Sequence, residues 1–314
     1  MATRVLITVD TELVWRHHEA GLSWQDNFAR SYEAAGVGVP YQLRLLAEHG
    51  LKACFFVDPM PGLVHGLEPV RRMVDPILEA GQEVQLHLHP FWALTGEAFS
   101  ELNEYDAAEQ QALIAQARDL LVAAGAPEPI AFRAGSYAAN GDTLRALAGL
   151  GLRYDASHNG CEHPHLSQVP LAPAQLAPTE IEGVVEVAVG QIEHQPGRLR
   201  HLQLCAVSFA EMRAALDHAV REDHAVAAIV THSFELARRD GLHRNGLAVS
   251  RFKRLCRYLA DNRETMPTAH FTDLGDIRVG GDARPLRSPR LLTFGRMAEQ
   301  AWGNARYERI RRVG

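Results

Sequence analysis

The feature that most constrains this chain is an alternation. Short runs of β-branched and apolar residues recur about every 30 residues, with helical stretches between them. Residues 5–9, 52–57, 83–89, 130–133, 152–155 and 225–231 read as strands, with a last one at 270–273. Helices are expected over 41–50, 70–80, 107–124, 141–150, 209–222 and 247–262, and a β-pair of 184–189 with 199–204 across the Pro196-Gly197 turn. The Pro-rich stretch 164–178 reads as a loop. Repeated strand–helix units imply an α/β fold with a parallel sheet. No G-x-G-x-x-G follows the first strand, which argues against a dinucleotide fold. The polar residues fall instead at strand C-termini, the face on which a β/α barrel assembles its chemistry.

Composition narrows the setting. The 314 residues are 22% charged and 46% hydrophobic, an ordinary globular balance. No apolar run reaches the ~18 residues of a membrane span. The start has neither a basic segment nor a small-residue cleavage site, so the expectation is a cytoplasmic chain without a transmembrane segment. Cys54, Cys161, Cys205 and Cys256 are scattered and expected to be reduced. A net charge of −6 gives no reason to expect nucleic acid. From Arg278 to Gly314, however, nine arginines stand against three acids. A helix over 291–313 packing with its arginines outward accounts for that tail, and peripheral contact with a membrane surface or acidic partner is the alternative.

Two strand ends carry paired ligand-type residues. Alternate residues of a strand share a side, so Asp10 and Glu12 face one way after the first strand, and His87 and His89 after the third. Two imidazoles and a carboxylate can hold one divalent metal while leaving positions for water and substrate. Arg133 ends another strand and needs a carboxylate, for structure or to orient Asp10. His232 follows the apolar run 225–231 as a third ligand, a general acid or a cap. His158, His163, His165 and Cys161 cluster without any standard zinc spacing.

Taken in order, the segments VDTE, LHLHP, FRAGSY, YDASHNG and VTHSFE resemble the five motifs of the polysaccharide deacetylases with the NodB-type domain, which are carbohydrate esterases of family 4 type. The resemblance covers about residues 4–276, nearest the branch linked to surface-polysaccharide (O-antigen) biosynthesis. It implies an irregular (β/α)7 barrel over 1–276, an Arg-rich extension over 277–314, and metal-dependent hydrolysis of an acylated sugar or other small amide. It assigns Glu12, His87 and His89 to a divalent metal, zinc by default, Asp10 as base held by Arg133, and His232 as acid. A backbone N–H near residues 135–137 would stabilise the oxyanion. Tyr137 and Trp92 are expected to stack on a sugar, and Asp155 and Asn159 to bind substrate, Asp155 alternatively orienting His232 or pairing with an arginine.

Two departures stand out. The family's first motif has adjacent aspartates, whereas Thr11 separates Asp10 from Glu12. Its histidines lie four apart, and here Phe91 occupies that place. The rival readings are a non-catalytic sugar-binding pseudo-enzyme and another metal-dependent amidohydrolase or phosphoesterase. The latter would place H-x-H after strand one, where this chain has VDTE. A non-haem iron oxygenase would need a jelly roll, which the helices oppose.

Overall fold

A computed structural model describes residues 2–93 and 100–308. Its strands are β1 (Arg4–Thr11), β2 (Cys54–Val57), β3 (Glu83–Leu88), β4 (Ala131–Ala134) and β5 (Tyr154–Asp155). There follow β6 (Thr179–Ile181), β7 (Val184–Glu186), β8 (Gln191–Gln195), β9 (Arg198–His201), β10 (Val226–His232) and β11 (Leu286–Arg287). One curled sheet has the order β10-β1-β2-β3-β4-β5-β7-β6, parallel throughout except for the β6–β7 hairpin. Between its ends, irregular chain completes the wall: Val187 and Val189 donate to Asp155 and His158, and Gly190 donates to Ala228. The result is the irregular α/β barrel expected.

Helices cover the outside in the βα order, among them Val39–His49, Glu68–Glu79, Ala107–Ala123, Phe209–Arg221 and Gly246–Asp261. The first of these ends because Gly50 adopts a left-handed φ of 63°, from which its N–H caps the last turn. Strand periodicity then sorts the core. Val5, Ile7 and Val9 face the helices, whereas Leu6 faces inward with Cys54, Phe56, Ala131 and Ala228. Along the inward rows the chemistry changes from apolar to polar toward the C-terminal ends: Leu6, Thr8, Asp10; Phe56, Asp58; Gln85, His87; Ala131, Arg133. Burial of apolar surface holds the lower half, and the upper half keeps polar groups that must find partners.

Two expectations fail. The Pro196-Gly197 turn joins β8 to β9, not 184–189 to 199–204, because Val184–Glu186 is already paired with β5 and β6. Residues 270–273 are no strand. Phe271–Leu274 forms a short helical turn whose Phe271 ring plugs the barrel floor, edge-on to Phe56 at 5.6 Å. At the C-terminus, Arg290–Gly303 is helical, and the last residues of the expected 291–313 helix, from 309, lie outside the described residues.

Candidate metal centre and acid–base pair

Parallel register sets the site. Asp10 lies opposite His232 across β1–β10, and His87 lies opposite Arg133 across β3–β4. Because all four end their strands on the same face, the side chains converge above the apolar floor.

Glu12, His87 and His89 are the one group of potential metal ligands found among the described residues, with their ligand atoms all within 4.8 Å of one another. His87 is buried and donates Nδ1–H to the Arg133 carbonyl at 2.7 Å, since a carbonyl can only accept. That bond fixes the tautomer and leaves the Nε2 lone pair facing Glu12, 3.7 Å from Oε2. Burial holds the His87 imidazole neutral, down at about 4 despite the charge on Asp10. His89 Nε2 stands 2.6 Å from the same Glu12 oxygen. Burial opposes both charges, but the His89 imidazole draws the Glu12 carboxyl down to about 2, and Glu12 lifts His89 to about 9. A neutral imidazole, a displaceable proton and a half-buried carboxylate form a donor set that fits a divalent ion. Gly135 packs against this group, and a Cβ there would lie 2.3 Å from His89 Nδ1.

Asp10 is only 3% exposed, and Arg133 Nη1 meets its Oδ1 at 2.6 Å. Burial alone would raise the Asp10 carboxyl, but Arg133, His87 and His232 hold it below the usual carboxylate range. Arg133 also bonds Thr8 and the Ala156 carbonyl, and lies over the Phe56 ring at 4.4 Å. His232 Nε2 is 3.9 Å from the second oxygen of Asp10. Its Nδ1 lies 3.1 Å from Glu235 Oε2, and Gln203 Nε2 bonds the same carboxylate oxygen at 3.1 Å. Burial would lower His232, but the Glu235 bond and the nearby charges lift it to about 9.

Among the candidates, the structure thus brings together Asp10, Glu12, His87, His89, Arg133 and His232. Tyr137 joins their edge half-buried, its ring 6.4 Å from that of His201. It lies in a turn where it and Ser136 both have positive φ. Three expectations are corrected. Trp92 is fully buried, edge-on to Trp15 at 4.8 Å, so it offers no face to a sugar. The ring beside the ligands is Phe91, 4.7 Å from His89. Asp155 is fully buried, its carboxyl engaged by Ser157 and Glu186, so it offers no exposed group to a substrate. Asn159 is buried too, bonding the Cys161 amide and His201. His158 and His163 contact backbone carbonyls, at Ala172 and Ser167. Glu235 and Asp58 were missed, although both follow apolar strands as the assigned residues do. Burial raises the Asp58 carboxyl to about 7.

No family profile and no curated protein matches the chain. Solved structures do. A Mycobacterium smegmatis protein assigned as a polysaccharide deacetylase superposes with a TM-score of 0.59 at 17% identity, over 92% of this chain and 96% of the other. The chain has the polysaccharide deacetylase fold. A 4-alpha-glucanotransferase from Thermococcus litoralis also superposes, with a TM-score of 0.55 at 12% identity, over 89% of this chain and 41% of that one. The deacetylase fold is therefore shared with an enzyme of another activity, and function has to be argued from the site.

Proposed function

We propose that this chain is a metal-dependent hydrolase that removes an acetyl or related acyl group from the amine of a sugar-containing substrate. One observation carries the reading: the Glu12–His87–His89 donor set lies beside an Arg133-clamped Asp10, itself 3.9 Å from His232. Glu12, His87 and His89 would hold a divalent ion, zinc by default. When bound, such an ion supplies Lewis-acid polarisation of the acyl carbonyl and acidifies water.

The chain's own residues do the proton work. Asp10, kept ionised by Arg133, accepts a proton from the attacking water. The hydroxyl oxygen bonds the acyl carbon and the C–N bond breaks. His232 delivers its Nε2 proton to the departing nitrogen, so free amine leaves with the carboxylic acid, which gives its own proton to water, and the proton taken by Asp10 restores His232. Glu235 takes the Nδ1 side of that imidazole, which keeps Nε2 as the atom facing Asp10. The turn at 135–137 offers backbone N–H groups to the oxyanion, and Tyr137 a face for the sugar ring. Residues 1–276 carry this chemistry, and 277–314 form the Arg-rich extension. A cytoplasmic setting would favour a nucleotide sugar, lipid-linked sugar or small amide, as in surface-polysaccharide biosynthesis. Metal analysis of the purified protein, followed by acetate release from a panel of N-acetyl sugars, tests the reading. One divalent ion per chain with turnover supports it; a metal-free protein that turns over none overturns it.

A further inference from the structure

Helix Arg290–Gly303 is packed the wrong way round for a surface helix. Beyond its first residue, its charged residues face the barrel. Arg296, 3% exposed, pairs with the fully buried Glu211 at 3.2 Å. Glu299 pairs with buried Arg251 at 2.9 Å, and Gln300 donates to the Ala206 carbonyl. After Arg290 at its first position, the residues turned to solvent are Leu291, Phe294, Gly295, Met297, Ala298, Ala301 and Trp302, without a charge among them. Leu291 is 84% exposed, Phe294 65% and Trp302 55%. Positions 291, 294, 298, 301 and 302 follow helical spacing, so they form one continuous apolar stripe. The stripe cannot roll inward, because breaking either buried ion pair would strand its partner. A groove of about 660 Å³ beside it extends the apolar surface through Phe294 and Met297, and is edged by Arg290 and by the paired Arg287 and Glu193.

We propose that this stripe docks on an anionic membrane surface. Charge decides the occupant. Exposed Arg290 opens the helix and exposed Arg306 follows its other end, while Arg287 beside Arg290 is paired with Glu193 at 3.0 Å. The acid within the helix, Glu299, is turned to Arg251. A second copy meeting this face about a two-fold axis would bring arginines toward arginines, which is repulsive. Anionic headgroups meet the same arginines favourably, while Leu291, Phe294 and Trp302 enter the boundary with the acyl chains. The helix has 14 residues, and no described helix is long and apolar enough to cross a membrane, so this one lies on the surface. The inference is independent of the reaction proposed above.

Vesicle co-sedimentation of the full chain tests it, comparing phosphatidylcholine alone with phosphatidylcholine containing anionic phosphatidylglycerol. Binding should require the anionic lipid and weaken as salt rises. Arg290→Gln and Arg306→Gln should each weaken it about fivefold. The triple variant Leu291→Ser, Phe294→Ser, Trp302→Ser should abolish binding with an unchanged melting temperature, since these side chains are exposed. Binding unaffected by the triple variant, or equal on neutral vesicles, would overturn the proposal. So would absence of binding in a protein that sedimentation velocity shows to be a dimer broken by the triple variant.

Discussion

The Arg133 guanidinium and the Asp10 carboxylate form an ion pair that is buried at both ends, and Arg133 also offers its backbone carbonyl to the imidazole of His87. One residue therefore braces both the proposed base and a proposed ligand. Replacing Arg133 by Ala leaves Asp10 as an uncompensated buried charge, a change worth ~3–5 kcal/mol. Urea denaturation should show that loss, and Asp10→Asn, which leaves the buried Arg133 charge with only a neutral acceptor, should be destabilised as well. Equal stability of Arg133→Ala and wild type would mean that the pair contributes nothing to the fold.

Glu12 and Asp10 should separate by function. Glu12→Gln and the double change His87→Ala, His89→Ala should lose metal on dialysis, as elemental analysis will read. Asp10→Asn should retain it and lose turnover. The opposite pattern would exchange the two acids.

Gly135 should be intolerant of any side chain. Its Cβ would collide with the His89 ring, so Gly135→Ala should displace that imidazole while the barrel floor stays intact. A loss of metal affinity of about 10–100-fold is expected, comparable to losing an outer-shell support. Unchanged affinity would show that His89 is not a ligand.

His232 gives a pH signature. As acid it must be protonated, so kcat/KM should fall as pH rises through about 9. The Glu235 carboxylate raises His232, hence Glu235→Gln should move that alkaline limb to lower pH. His232→Ala should retain metal and lose roughly 10²–10⁴ in rate on an amide, and less on an activated ester. An alkaline limb that stays in place in Glu235→Gln would disprove the coupling.

Asp155 and Glu186 face each other across β5–β7, and burial raises both carboxyls, each further affected by the bond between them. The folded state keeps protons that the unfolded chain releases above the ordinary carboxyl range. That stabilisation is present at acid pH and is lost as pH rises. Glu186→Gln can still accept from the His158 amide, so its melting temperature should fall less than that of wild type between pH 5 and pH 8. Parallel curves would rule out the shared proton.

What the sequence disclosed and what it hid follow from period and contact. Asp10, Glu12, His87 and His89 were legible because a two-residue period fixes which side each faces once the strand is known. Trp92 was not, since the short turn Pro90–Ala93 sends Phe91 to His89 and Trp92 into the core, and no strand periodicity applies there. Glu235 stands within a recognised segment, yet its role comes from the turn after β10 that folds it back to His232 Nδ1. Residues 184–195 form a nearly unbroken β-type run, so only tertiary pairing shows where one strand ends and the next begins. The 270–273 segment has the composition of a strand, and its place at the barrel floor makes it a plug.

The clamped helix has a mechanical consequence. A domain joined to its partner through a pliant tail samples many headings, and cutting the tail merely sets it free. Here the chain from Arg290 cannot be trimmed so simply, because Glu211 and Arg251 would both lose the ion-pair partners that the helix supplies. Deletion would report damage to the barrel instead of the loss of a contact. Conversely, whatever grips the outer stripe grips the whole body, and the mouth formed by the strand ends is presented at one fixed bearing.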